Sequence, residues 1–391
     1  MRYPSGRADD ALSTIAAVRI EAEDLAAAGL YDPTAADAGD RLELLRYLLD
    51  EGCTLDDLLA ADAGGRLVAA GADARLRGHQ VPLDVEEVAA RAGIDPGVVS
   101  TAWRAIGFPT PPPGARLWWA SDADTFAAFA LAAELFGAER LAQFSRVLGR
   151  AAAQVAEAAV AMFLPDVQTR LEAEGRPPIE LARANMAGQQ AADAISGVFE
   201  SAFRHHLQAT QRRLDATTFT AERDRPLLCV GFADLVGSTE LSHQLDPAGT
   251  ARLAADLEEV ATDTVARASG RLVKTIGDGL LFTTPAPPAA LEIAAELVAW
   301  AAGDERLRGL RVGLAAGPVV WQDGDVHGPV VNLAARLCAA ADGDQVLVDA
   351  GFAAAHWAAG GSPALTPAGE RSLRGFTDPV TTFTIAPAVG P

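Results

Sequence analysis

RLVKTIGDGLLFTT, residues 271–284, decides the fold. Apolar and β-branched residues run up to Gly277-Asp278-Gly279 and resume directly after it, the pattern of two strands joined by a tight turn. Upstream, LLCVGFADLV (227–236) is a short apolar run that reads as a buried strand. Between the two, DPAGTARLAADLEEVATDTVARASG (246–270) reads as a helix with Asp246 at the N-cap, Pro247 at N1 and Gly270 past its end. Downstream come a helix from about Pro288 to Ala302, a strand in LRVGLAAGPVVW (310–321) and a helix in GPVVNLAARLCAAAD (328–342). QVLVD (345–349) and LRGFTDPVTTFTIA (373–386) supply two more strands. Strand and helix alternate, yet hairpins interrupt the alternation. The prediction is an α+β domain, a mixed sheet covered by helices.

The first half of the chain reads as helices only. LELLRYLLDEG (42–52) repeats its apolar residues at helical spacing and stops at a glycine, and Thr54 with Asp57 three residues on makes a start signal. Residues 78–109 read as helix, turn, helix, with Asp84 as N-cap, Gly93 as stop and Pro96 opening the second helix. A DNA-reading module has this shape, but its second helix carries one basic residue, Arg104, where phosphate contact needs several. A small packing unit is the better reading. PTPPPGARLWW (109–119) is a stiff break. One or two long helices follow over 121–163, and another over 179–212 after GRPP (175–178). Phe126, Phe129, Leu135, Phe136, Phe144 and Leu148, then Phe199, Phe203 and Leu207, give these helices more apolar surface than one helix can hide. They should pack on each other or on a second chain, with Met162 and Met186 as core filler. Residues 213–226 read as a polar linker between an all-α domain (1–212) and the α+β domain (227–391).

The formal net charge of -20 argues against nucleic acid as a partner. No apolar run reaches the roughly 18 residues of a membrane span, and the opening MRYPSGRADD has no signal-peptide core, so stable membrane insertion is not expected and the cytoplasm is the expected compartment. Cys53, Cys229 and Cys338 lie too far apart in sequence to suggest a metal knuckle or disulfide framework.

The α+β domain concentrates the chemistry. Asp234 ends a strand before a Gly-Ser-Thr turn (237–239), and Asp278 sits in the hairpin turn. Two carboxylates with phosphate oxygens suit magnesium, and amides around the turn can hold phosphate. Lys274 is the sole lysine of the chain. It reads either as a solvated strand-edge residue or as a compact donor for the ring nitrogen of a base. Asn332 and Arg336, four apart, share one face of a mostly apolar helix, as a pair aimed at a developing oxyanion would. His327 reads as a turn residue. No phosphate-binding GxxxxGK[ST] loop is present.

FADLVGSTEL (232–241), LVKTIGDGLLF (272–282), LRVGLAAGPVV (310–320) and GDVHGPVVNLAARL (324–337), in this order and spacing, resemble the catalytic domain of class III nucleotide cyclases. The resemblance implies a ferredoxin-like βαββαβ core and cyclisation of ATP to 3',5'-cyclic AMP with release of pyrophosphate. It implies two Mg2+ or Mn2+ ions held by Asp234, Asp278 and the main-chain carbonyl of Leu235. It implies adenine recognition by Lys274 and Asp325, the adenylate rather than guanylate pattern, and transition-state contacts from Asn332 and Arg336. Arg374 in SLRGF is a candidate phosphate contact, although many members have lysine there. It further implies a head-to-tail homodimer with each site shared between two chains. A guanylate cyclase and a non-catalytic nucleotide-sensing dimer are the alternatives. The helical half resembles, through its order, length and alanine-rich helices, the regulatory domain of actinobacterial soluble adenylate cyclases, some of which respond to acid pH. That resemblance leaves room for a fatty acid among the helices. It also makes His205 and His206 the candidate pH switch, since histidine ordinarily titrates near pH 6.5.

Overall fold

A computed structural model describes residues 20–78, 80–163, 169–220, 225–238, 241, 245–361 and 364–385. The chain divides into two compact units between residues 201 and 202.

The first unit is helical. Its helices are α1 (Ala22–Ala27), α2 (Ala38–Asp50), α3 (Leu55–Ala63), α4 (Ala70–Leu76), α5 (Val85–Ala92), α6 (Pro96–Ala105), α7 (Asp122–Phe136), α8 (Ala138–Phe163), α9 (Thr169–Ala173) and the start of α10 (Pro178–Asp215). Local chemistry sets several boundaries. Thr54 and Asp57 form a reciprocal capping box at the head of α3, and Asp84 and Glu87 do the same for α5. Gly93 ends α5 at φ 71°, a left-handed conformation that glycine adopts without strain. Leu25, Leu44, Leu45, Leu48 and Leu58 form one core, and Ala182 of α10 joins it. The helix-turn-helix packs into a second core, with Val88 and Val99 against Trp118 and Phe126. The expected long helical stretch over 121–163 is two helices, separated at Gly137. Much of their apolar surface stays open: Leu131, Leu135, Phe136, Phe144 and Val160 are exposed. Met186 is buried as expected, but Met162 is 69% exposed and fills no core of this chain. One cleft here, of about 310 Å³, is lined by the charged Glu43, Arg46, Asp50 and Arg183 together with Leu42, Tyr47 and Ile179.

In the second unit, the end of α10 leads into β1 (Thr218–Phe219) and β2 (Pro226–Leu235). Then come α11 (Pro247–Arg267), β3 (Arg271–Ile276), β4 (Gly279–Thr284), α12 (Pro287–Ala302), β5 (Leu310–Pro318), β6 (Val320–Gln322) and β7 (Asp325–His327). The unit ends with α13 (Pro329–Ala340), β8 (Val346–Asp349), α14 (Ala350–Ala358), β9 (Leu365–Arg371) and β10 (Val380–Ile385). The main sheet runs β3-β4-β2-β5-β8-β10-β9. Its first four strands pair antiparallel throughout and with α11 and α12 form the expected βαββαβ core, while β8 adds in parallel to β5. Apolar residues fill both faces: Leu257, Phe282, Ile293 and Leu297 on one, Val230, Leu281, Ala334 and Leu337 on the other. β1, the β6–β7 ribbon, α14 and β9 were not foreseen from sequence.

Gly313 on β5 controls how closely α13 lies on the sheet. A Cβ there would sit 2.1 Å from Cys338 N and 2.3 Å from Ala334 O, both backbone atoms of α13. Neither can move without shifting the helix that carries Asn332 and Arg336. Gly313→Ala is therefore expected to cost about 1–3 kcal/mol or more, as overpacking does. A lowered urea midpoint together with reduced turnover checks it. An unchanged midpoint shows that α13 is not seated this closely.

Candidate active site

Asp234 owes its setting to register. In β2 it lies opposite Gly279 of β4 on one side and Arg311 of β5 on the other. Arg311 donates through Nε to Asp234 Oδ2 at 2.9 Å and through Nη to the same oxygen. The hydrogen bond to Asp234 raises the Arg311 pKa above its ordinary value; burial opposes this, and the carboxylate's charge adds to it. Gly279 offers no side chain where a Cβ would lie 3.3 Å from Asp234 Oδ1. That second oxygen keeps room in front of it. Asp278 precedes Gly279 in the turn, and its carbonyl accepts from Leu235 N at 3.3 Å. Asp234, Leu235 and Asp278 thus meet at the closed end of the β3–β4 hairpin.

The turn after β2 shapes the neighbouring surface. Gly237 has φ 72°, and a Cβ there would lie 3.1 Å from Arg308 Cδ. Arg308 lies across this turn. Thr239, the last residue of the expected phosphate-holding turn, lies outside the described residues. Among the described residues no group of three or more His, Cys, Asp or Glu side chains can hold a metal. Two carboxylates and one carbonyl make a partial shell of hard oxygens, which fits magnesium or manganese with phosphate oxygens and water as the remaining ligands.

A second cluster pairs Lys274 of β3 with Asp325, the first residue of β7. Lys274 Nζ donates to Asp325 Oδ2, and Val326 N donates to Asp325 Oδ1 at 2.8 Å. Burial pushes the Asp325 pKa up, but the hydrogen bonds from Lys274 and Val326 outweigh it, and the net shift is below the ordinary carboxylate value. These residues are 51 apart in sequence and share an ion pair.

Asn332 and Arg336 lie exposed on one face of α13, while Ala334, Leu337 and Cys338 are buried on the other. Among the described residues neither side chain has a hydrogen-bond or ion-pair partner, and none links either of them to the aspartates or to the Lys274–Asp325 pair. Three groups are therefore assembled separately on one domain. Arg374 sits in an exposed turn between β9 and β10. His205 and His206 are exposed on α10, and His327 is exposed at the end of β7. Sequence reasoning missed Arg311 and Arg308. The signal for Arg311 was its place in LRVGL, but only the β2–β5 register puts it against Asp234.

Two family models cover this chain. Residues 18–209 match the adenylate cyclase regulatory domain, and residues 221–387 match the adenylate and guanylate cyclase catalytic domain. The chain is 33% identical to an adenylate cyclase of Streptomyces coelicolor over 305 residues, covering 75% of this chain and 77% of that protein. It is 26% identical to a pH-sensitive adenylate cyclase of Mycobacterium tuberculosis over 363 residues, covering 88% of each. Among solved structures, an adenylate/guanylate cyclase/hydrolase from Silicibacter pomeroyi matches 42% of this chain and 98% of its own, at 28% identity and a TM-score of 0.38. No helix among the described residues is long and apolar enough to cross a membrane. With a regulatory-domain match on its helical half, a catalytic-domain match on its α+β half, and a relative that spans both, the chain belongs to the adenylate cyclase family, whose members are phosphorus–oxygen lyases.

Proposed function

We propose that the chain converts ATP to 3',5'-cyclic AMP and pyrophosphate at sites shared between two copies in a head-to-tail homodimer, under control of its helical N-terminal domain. The observation that carries the choice of ATP is the Lys274–Asp325 pair. An ammonium and a carboxylate side by side can donate to a ring nitrogen of adenine and accept from its exocyclic amine. Guanine reverses both demands and leaves the pair unsatisfied.

The ribose 3'-hydroxyl attacks the α-phosphorus. The new O3'–P bond forms as the hydroxyl proton leaves, and the bond to the β-phosphate oxygen breaks to release pyrophosphate. Asp234, Asp278 and the Leu235 carbonyl would hold two Mg2+ or Mn2+ ions, which would lower the cost of deprotonating the hydroxyl and neutralise charge on the phosphates. Arg311, already beside Asp234, is at hand for a phosphate oxygen. Asn332 and Arg336 donate to the oxygens that gain charge in the transition state. Their lack of partners among the described residues and the separation of the three groups support a site completed by a second copy. The exposed apolar faces of α7 and α8 give such a dimer further surface to bury.

Base choice is tested by Lys274→Glu combined with Asp325→Cys. The double variant is expected to lose about 100-fold or more of kcat/KM for ATP, since discrimination by buried polar groups reaches 10⁴–10⁵. Cyclic AMP and cyclic GMP formed from ATP and GTP are measured for both proteins. Unchanged ATP turnover places the pair away from the base, and a wild type that prefers GTP makes the chain a guanylate cyclase.

The pH-sensitive relative makes acid the first trigger to test. His205 and His206 lie on α10 nine to ten residues, between two and three turns, before its end, and histidine is the side chain whose charge changes between about pH 5 and 8. Protonation, which increases as pH falls, is expected to release an inactive arrangement and raise turnover. Coupling of about 1–3 kcal/mol corresponds to roughly 5–150-fold. Turnover of wild type and of H205A/H206A is compared from about pH 8 down to about pH 5 across the histidine range. A ratio that stays constant removes these histidines from the switch.

A further inference from the structure

We propose that the second unit has a ligand site away from the catalytic residues, a cavity of about 600 Å³ that takes a small organic anion, a phosphate or carboxylate on an apolar body. It lies between the last turns of α10 and the open end of the β3–β4 hairpin. None of Asp234, Asp278, Lys274, Asp325, Asn332 and Arg336 lines it.

Charge is the first argument. The chain has 52 acidic and 32 basic residues, so an unselected lining would favour carboxylates. Among the described residues this lining has Arg213, Arg271 and His206 and no Asp or Glu. Arg213 donates to the Thr210 hydroxyl at 2.8 Å, and Arg271 donates to the Gly324 carbonyl. Among the described residues neither guanidinium has an ion-pair partner. Burial, then the like charge of Arg213, pushes the Arg271 pKa below its ordinary value. Asp325 pulls it the other way, but that carboxylate is engaged by Lys274. Two guanidiniums that line one partly dry cavity repel each other, and an anion bound there relieves the repulsion through charge-assisted hydrogen bonds.

The apolar side of the lining is the second argument. Leu228, Leu272 and Trp321 line the same space. A free inorganic ion would leave these surfaces wet, whereas an aryl or alkyl group attached to the anion covers them. The site also has a route to the base-reading pair, because the Gly324 carbonyl held by Arg271 directly precedes Asp325.

The test is calorimetric titration of the full chain with phenyl phosphate, benzoate, inorganic phosphate and benzyl alcohol. Phenyl phosphate or benzoate is expected to bind more tightly than inorganic phosphate or benzyl alcohol, and the tighter of the two identifies the acid group. R213Q and R271Q are each expected to weaken that binding roughly tenfold or more, the cost of losing a hydrogen bond to a charged group. Binding at the catalytic centre survives both substitutions and is subtracted by the comparison. R213Q lies near the end of a helix, and thermal unfolding of each variant shows that it is folded. The proposal is overturned if both variants keep wild-type affinity, if the wild type binds neither acid, or if inorganic phosphate or benzyl alcohol binds as tightly as the acids.

Discussion

Asp234→Ala and Asp278→Ala are each expected to lower cyclic AMP formation by roughly 10³-fold, about 4 kcal/mol of barrier. The two carboxylates stand at the closed end of one hairpin, and the Leu235–Asp278 backbone hydrogen bond fixes the turn to the end of β2. Among the described residues no group of three or more His, Cys, Asp or Glu stands by to hold a metal in their place. The substitutions differ in what they leave behind. Without Asp234, Arg311 loses its partner, but both groups are about one-third exposed, so water screens the loss and stability should fall little. Without Asp278, no ion pair of the described structure is broken. The measurement is turnover with saturating Mg2+ or Mn2+, beside thermal unfolding and binding of Mn2+ in the presence of ATP. A folded variant with near-normal turnover removes that residue from the metal site.

Mixing two dead variants is expected to restore activity. Asp234→Ala and Arg336→Ala homodimers each lack one component in both of their sites. A head-to-tail heterodimer gathers both defects into one site and leaves the other whole. Each parent should retain under about one-thousandth of wild-type turnover. A random mixture places half its chains in heterodimers with one good site of two, so recovery should approach about one quarter of wild type. The basis is the separation of the two groups: Arg336 is exposed on α13 without a partner among the described residues, while Asp234 lies near the end of β2 beside Arg311. Turnover is followed while subunit exchange is monitored by fluorescence transfer between labelled chains. Exchange without recovery places Asp234 and Arg336 in the same site of one chain.

Much of the fold was legible because its cues are local. The Gly277-Asp278-Gly279 turn, the Asp246-Pro247 helix start and the Thr54–Asp57 box act within a few residues, and each forms where sequence placed it. β9 and the β6–β7 ribbon escaped because their pairing partners, not their own patterns, make them strands. α14 escaped because AGFAAAHWA, nine residues, is too short to display a helical period. Met162 was misread because one apolar position does not reveal which face of a long helix is covered. At the candidate site, the spacing of Asn332 and Arg336 gave their shared face, whereas the Lys274–Asp325 proximity came only through resemblance to a family. Arg311 needed the β2–β5 register, which depends on strand pairing between residues 77 apart.

The most direct test of the account is product analysis. The purified full chain is incubated with ATP labelled at the α-phosphate and with Mg2+ or Mn2+, and nucleotide and phosphate products are separated and quantified. The account predicts labelled 3',5'-cyclic AMP and an equal amount of pyrophosphate. Label in ADP or AMP with free phosphate, or no conversion by a folded dimeric chain across the acid-to-neutral range, contradicts it.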